Sequence, residues 1–315
     1  MDTNASSQWL LLQSLDLSSK QVYPSFAFGT LTYLIVVFCN LLVSVTIATS
    51  KKLHKPMFIL LFNLPLSDLL GATAFFPHFL FSILSHNRLI SPHACMAQAF
   101  IIHVYGTANL LTLTAMAYDR YIAVCSPLRY HVIMSPEKLI KIIFSIWFID
   151  FSIMGVLFAL LVRLRFCRSR IVDLYCNNPS LLKLTCEDNT VNNIYGLVGI
   201  VFLQGGTLSI VVYTYAQILR VCIMTNNLDT RRKAIQTCST HLTVFVILQI
   251  NTVFTLLAHR IEGVPPYLRR LLGLSILVFP PFLDPVIYGL KVTELKESIG
   301  FIVRKTCRLS KLCRK

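Results

Sequence analysis

The run Pro24–Thr49, PSFAFGTLTYLIVVFCNLLVSVTIAT, holds 26 residues and no Asp, Glu, Lys or Arg. About 20 apolar residues in a helix cross the roughly 30 Å hydrocarbon core of a bilayer, where backbone groups must be satisfied within the segment. This run therefore reads as a membrane-spanning helix. Six more stretches meet the same test: Met57–Leu84, His93–Val124, Lys138–Val162, Asn193–Cys222, Ala234–Ala258 and Leu268–Leu290. The second, third, fourth and seventh each hold a carboxylate. Pro65, Pro77, Pro280 and Pro285 are expected to interrupt their spans, which a bilayer tolerates when neighbours re-satisfy the freed backbone groups.

Composition agrees with the spans. Of 315 residues, 55% are hydrophobic and only 14% charged, and the mean hydropathy is +0.66. A soluble domain carries about 25% charged residues, because water must meet a polar surface. These figures exclude a soluble globular protein, a disordered chain, collagen and a coiled coil. The fold class expected is an all-α membrane protein: a seven-transmembrane helix bundle with a short amphipathic C-terminal helix. Residues 1–23 form an extracellular N-terminus, 24–290 the bundle, and 291–315 a cytoplasmic amphipathic helix and tail. Leu295, Ile299 and Ile302 recur at helical spacing, so that helix would lie on the inner leaflet.

A net charge of +15 raises the question of nucleic acid, and the placement of the charges answers it. Lys and Arg cluster between apolar runs and along the last 25 residues, as juxtamembrane segments facing anionic lipid do. Membrane lipid is the partner expected of them; no nucleic acid is. With an odd number of spans the termini lie on opposite sides. An outside N-terminus puts 19 of the 29 basic residues inside, so the basic bias selects that orientation. The extension before the first span lacks a basic n-region and a long apolar core, so no cleaved signal peptide is read. Asn4-Ala5-Ser6 is the only sequon without proline, and it falls where glycosylation of Asn4 needs a lumenal N-terminus.

Cys95 opens the third span on the outer side, and Cys167, Cys176 and Cys186 follow the fourth. Four outer cysteines in an oxidising compartment make two disulfides, and spacing leaves all three pairings open. Cys307 and Cys313, in the basic tail, are either palmitoylation sites or free thiols.

Five runs bear on function. They are Met116-Ala-Tyr-Asp-Arg-Tyr-Ile-Ala-Val-Cys125, Leu53-His-Lys-Pro-Met-Phe58, Lys233-Ala-Ile-Gln-Thr-Cys-Ser-Thr-His-Leu242, Pro280-Pro-Phe-Leu-Asp-Pro-Val-Ile-Tyr-Gly289, and Thr214-Tyr215 with Trp147. In order and spacing they resemble the MAYDRYVAIC, LHxPMY, KAFSTCSSHL, PxxNPxIYG and Ser-Tyr elements of vertebrate olfactory receptors, within the rhodopsin-like class A G-protein-coupled receptors. Asp284 stands where that pattern has Asn, Gln249 where many members have an aromatic, and Pro65 where none is expected. These departures bear on ligand class and leave the fold expectation unchanged.

The resemblance implies an odorant receptor that binds a small molecule inside the bundle and activates a stimulatory heterotrimeric G protein, raising cAMP. It places the chain in the plasma membrane, expected in the cilia of olfactory neurons. It implies that Asp119, Arg120, Tyr121, Tyr215 and Tyr288 form the coupling switch, with Asp119 holding Arg120 at rest and the two later tyrosines receiving it on release. Arg suits this task because its guanidinium stays charged and offers five donors in a planar fork. Cys95 is paired with Cys176 by the same resemblance, leaving Cys167 to close on Cys186. The family also gathers Asp68 and Asp284 near Asn40 and Asn109. Two close carboxylates cannot both stay charged, so a shared proton or a bound Na⁺ held by Asp68, Asn109 and Asp284 is expected. The alternative is one permanently protonated acid. No other cofactor is expected.

By register from Arg120, the outer half of span three presents Ile102, His103, Gly106 and Thr107 to the bundle. Spans five to seven add Gly199, Leu203, Thr252, Leu256 and Leu274. A cavity lined by apolar groups with a few polar ones is the usual form of a small-molecule site. His103 is either a partner for an anion or metal or a neutral hydrogen-bonded residue, and His78 has the same two readings. Rival functions find little here. A transporter should show repeat symmetry or a charged pore stripe. An enzyme should show a metal-ligand spacing, a nucleophile elbow or a phosphate loop. A rhodopsin-like receptor for a lipid or an amine lacks the MAYDRY and KAIQTCSTHL runs. No carboxylate occupies the outer half of span three to hold an amine.

Overall fold

Short polar residues followed by proline mark where helices begin. Ser91 and Ser135 each accept a hydrogen bond from a backbone N–H three residues on, and Pro92 and Pro136 occupy the first helical position, where an N–H is not needed. Ser18 and Gln21 cap the first helix reciprocally. In the computed structural model, which describes residues 9–15, 17–85, 87–224, 228–261 and 263–312, seven helices are long and apolar enough to cross a membrane. They are span one Ser19–Thr49, span two Pro56–Ser85, span three Pro92–Cys125, span four Pro136–Val162, span five Thr190–Met224, span six Cys238–Arg260 and span seven Pro266–Lys291. Span six belongs to a longer helix, Leu228–Arg260, that begins ahead of the apolar run.

The prolines do not break the helices as expected. Span seven runs unbroken through Pro280, Pro281 and Pro285, and span two runs unbroken through Pro77. The interruption in span two falls at Phe62, between Pro56–Leu61 and Asn63–Ser85, three residues ahead of Pro65. Each proline frees the carbonyl four residues earlier, and side chains of neighbouring helices can take it up. A true irregularity lies in span five, where Val201–Gly205 forms a π-helical turn.

Span three is the central element, packed against spans two, four, five and six. Spans one, four and five are mostly outward-facing, with Phe28, Phe38, Phe144, Phe148 and Phe202 exposed where a bilayer would solvate them. At the end of the bundle that carries the N-terminus, outer in the orientation expected from the basic bias, β1 (Leu10–Leu11) pairs antiparallel with β2 (Leu89–Ile90), and Leu11 also bridges to Arg170 in the loop after span four. That loop is bound covalently by Cys95–Cys176 and Cys167–Cys186. At the inner face a tail helix, Thr293–Leu312, runs longer than expected. It buries Leu295 and is tied to the turn before span two by Lys55–Glu294 and Ser50–Ser298. Asn4 and Cys313 lie outside the described residues, and the side chain of Cys307 is likewise not described.

Candidate ligand cavity and coupling switch

Between the outer halves of spans three to seven lies a cavity of about 160 Å³. Ile102, His103, Gly106 and Thr107 line it from span three, Gly199 and Leu203 from span five, and Thr252 and Leu256 from span six. Leu203 comes from the π-helical turn, and a Cβ on Gly106 would meet no atom within 4 Å. Leu274 does not line the cavity. It packs instead against the cluster of Phe75, Phe76 and Tyr105, while Ile276 faces the cavity from span seven. Two residues turn a helix by about 200°, so a small register error exchanges one face for the other.

His103 resolves towards its hydrogen-bonded reading. Its Nδ1 lies 2.8 Å from the Ala99 carbonyl, which can only accept, so Nδ1 carries the proton. Its ring meets Phe158 edge-on. His78 approaches the Leu89 carbonyl at 3.4 Å and does not line the cavity.

Sequence reasoning missed the outer end of the cavity. Tyr175, Asn177, Asn178 and Pro179 reach it from the loop, Tyr195 from span five, and His259 and Arg260 from span six. The bond between Cys176 and the top of span three was the available signal, because it draws the residues on either side of Cys176 over the bundle. Polar groups therefore gather at the outer end, and the walls below them are mainly apolar, broken by His103, Thr107, Gln204 and Thr252.

Deeper, a space of about 10 Å³ is bounded by Asn40, Asp68, Asp284 and Tyr288. Asn109 is not among its walls. Its Nδ2 donates to Asp68 Oδ1 at 2.7 Å, and its Oδ1 accepts from Ser67, so it orients Asp68 rather than facing the space. Asp68 Oδ2, Asp284 Oδ2, Asn40 Oδ1 and the Tyr288 hydroxyl have no hydrogen-bond partner among the described residues.

At the inner end Arg120 is closed onto Asp119, with its terminal nitrogen 2.6 Å and Nε 3.1 Å from Oδ2. Tyr130 donates to the other oxygen at 2.7 Å, a partner sequence reasoning did not anticipate. Tyr121 packs its ring against Tyr118 and Tyr213. Tyr215 and Tyr288 make no hydrogen bond to Arg120 in this state. Tyr215 donates to the Cys238 carbonyl at 3.1 Å, which makes the His241 Nδ1, 2.7 Å away, a donor to the same hydroxyl. Trp147 fixes span four to span two through Asn63 Oδ1 at 3.0 Å.

A family profile described as olfactory receptor matches residues 29–306, nearly the whole bundle and the start of the tail. The chain belongs to the olfactory receptor family. Human olfactory receptor 52B2 is 32% identical over 90% of this chain and 89% of its own. Human olfactory receptor 10H4 is 34% identical over 88% of each chain. Human olfactory receptor 7C1 is 32% identical over 95% of this chain and 93% of its own. Squid rhodopsin, at 17% identity, superposes with a TM-score of 0.72 over 96% of this chain and 92% of its own, which shows the shared fold. The olfactory receptor is thus a multi-pass membrane protein of a family that detects odorants and signals through G proteins, and it is not an enzyme.

Proposed function

We propose that this olfactory receptor binds a small odorant in the cavity of about 160 Å³ and activates a stimulatory heterotrimeric G protein, raising cAMP. The observation that carries the reading is the separation of two sites along one helix. His103 lies in the cavity wall and Arg120 in a closed ion pair 17 residues later, about 25 Å away at 1.5 Å per residue. A ligand therefore acts on the inner end through span three and its neighbours and never touches Arg120. Mainly apolar walls with a few polar groups, under a polar outer end, suit a compact, mainly hydrocarbon molecule with one polar group. The receptor would work in the plasma membrane, in olfactory cilia, with a glycosylated N-terminus outside.

The deeper space fits a Na⁺ ion or a shared proton. It is large enough for one water-sized particle, and hard carboxylate, amide and phenol oxygens surround it. Asp68, Asp284, Asn40 and Tyr288 would hold the ion, whose charge would let both acids stay ionised. Expression with a stimulatory G protein and a cAMP readout, against a panel of odorants, tests the proposal. An odorant response that disappears in Arg120→Ala at matched surface expression is the expected result. Responses through a G protein that leaves cAMP unchanged would overturn the coupling assignment.

A further inference from the structure

Asp173, in the loop after span four, is an acid buried between two helices. Its Oδ2 lies 3.4 Å from Nε2 of His259 at the end of span six, and its Oδ1 3.3 Å from Nε of Arg269 at the start of span seven. The side chains of Asp173, His259 and Arg269 are 3%, 6% and 15% exposed. Asn177 donates to Asp173 Oδ2 at 3.1 Å and the Ser180 hydroxyl donates to the same oxygen. The loop thus folds around one carboxylate, which is then tied to two spans. Buried charges of this kind hold only as a set, since removing one partner leaves the others uncompensated.

The segment beside Asp173 covers the cavity. Tyr175, Asn177, Asn178 and Pro179 all line it. Tyr175 sits against span seven at Gly273, where a Cβ would come within 2.9 Å of its hydroxyl, so glycine makes room for the ring. The segment is fixed on three sides by bonds of different kinds, one of them the hydrogen bond that Asn178 Nδ2 donates to Asn192 Oδ1 of span five at 3.2 Å. Cys176 joins it covalently to the top of span three. Towards span seven the tie is the Asp173–Arg269 ion pair, with the His259 ring of span six against the other carboxylate oxygen, and it can open.

We propose that Asp173, His259 and Arg269 form a latch, with Asp173 as its positioning residue, that holds residues 174–179 as a roof over the cavity and sets how fast molecules enter and leave. The disulfide is the hinge, and the Asp173–Arg269 ion pair with its His259 contact is the catch. This rests on the reading of the cavity as the ligand site, but the roof can be tested without an odorant. Gly106→Cys places a thiol in open space within the cavity. Its modification on intact cells by the cationic reagent MTSET, corrected for receptor lacking that cysteine, measures access from outside.

Asp173→Asn keeps the shape and removes the charge. It should speed labelling about tenfold, the factor equivalent to 1.4 kcal/mol. Asp173→Glu, which keeps the charge, should restore slow labelling, with the Cys95–Cys176 bond intact in both variants. Should Asp173→Asn fail to reach the surface, Arg269→Gln opens the tie from the other side and carries the same expectation. Labelling that is unchanged or slower in the uncharged variants, or equally fast in Asn and Glu, overturns the latch. A failed odorant response in the parent receptor would count against the proposed function alone.

Discussion

The hydroxyl of Tyr105 donates to the backbone carbonyl of Ile276 across 2.8 Å, joining span three to span seven. Ile276 lies four residues before Pro280, whose missing N–H is what leaves that carbonyl free. Asn40 does the same for Pro281, four residues before Pro285, through an Nδ2 contact of 2.8 Å. Proline thus ties span seven to its neighbours instead of breaking it. Tyr105→Phe retains the ring and deletes only the donor. It should cost about 1–3 kcal/mol, the penalty for a buried carbonyl left unpaired, read as a lower melting temperature of purified receptor.

Gly71 tests the same contact from the other side. A Cβ there would lie 2.5 Å from the Tyr105 ring. Gly71→Ala should therefore destabilise by about 1–3 kcal/mol through overpacking, and the same substitution should cost less in a Tyr105→Ala background, which lacks the ring and its Cγ. A variant as stable as the parent would mean that span two moves freely.

Arg120→Ala should abolish odorant-driven cAMP while leaving surface delivery largely intact, because the ion pair with Asp119 lies about 25 Å from the cavity. Arg120→Lys should recover the signal only in part, since a point charge cannot reproduce a planar fork. Normal signalling by Arg120→Ala would remove the switch assignment.

Span seven offers a paired test of the cavity. Ile276 lines it and Leu274 does not. Ile276→Ala should reorder the potencies of a panel of odorants, whereas Leu274→Ala should leave the order unchanged and lower stability modestly. A reordered panel with Leu274→Ala would place the ligand elsewhere.

The latch carries a pH expectation. Burial alone would raise the Asp173 carboxyl, but the His259 ring 3.4 Å away and the hydrogen bonds from Ser180 and Asn177 hold it well below the usual carboxylate range. A carboxyl depressed in the folded state contributes stability above its unfolded value of about 3.9, and loses it only as pH falls through the folded value. Across pH 7 to 5 Asp173 stays ionised and Arg269 charged, and because His259 Nδ1 is committed to the Thr255 carbonyl, any proton its ring gains goes to Nε2, facing the carboxylate, and strengthens the tie. Acidification over that range should therefore leave the roof closed, with MTSET labelling of Gly106→Cys unaccelerated after correction for thiolate ionisation.

The sequence by itself determined the seven spans and the ion pair between Asp119 and Arg120. Each depends on neighbouring residues alone: a run of apolar side chains, or Asp119 beside Arg120. Even the walls contributed by span three could be counted from Arg120 along one helix, because helical periodicity carries position over short distances. Tertiary structure decided the rest. Helix rotation decided that Ile276 and not Leu274 meets the cavity, and no residue of span seven records that rotation. The meeting of Asp173 with His259 and Arg269 joins groups 86 and 96 positions apart. So does the capture of the Ile276 carbonyl, freed by Pro280, by Tyr105, 171 positions away. Contacts of that range depend on how whole helices dock, and docking is set by the sum of many packed side chains rather than by the residues that finally touch.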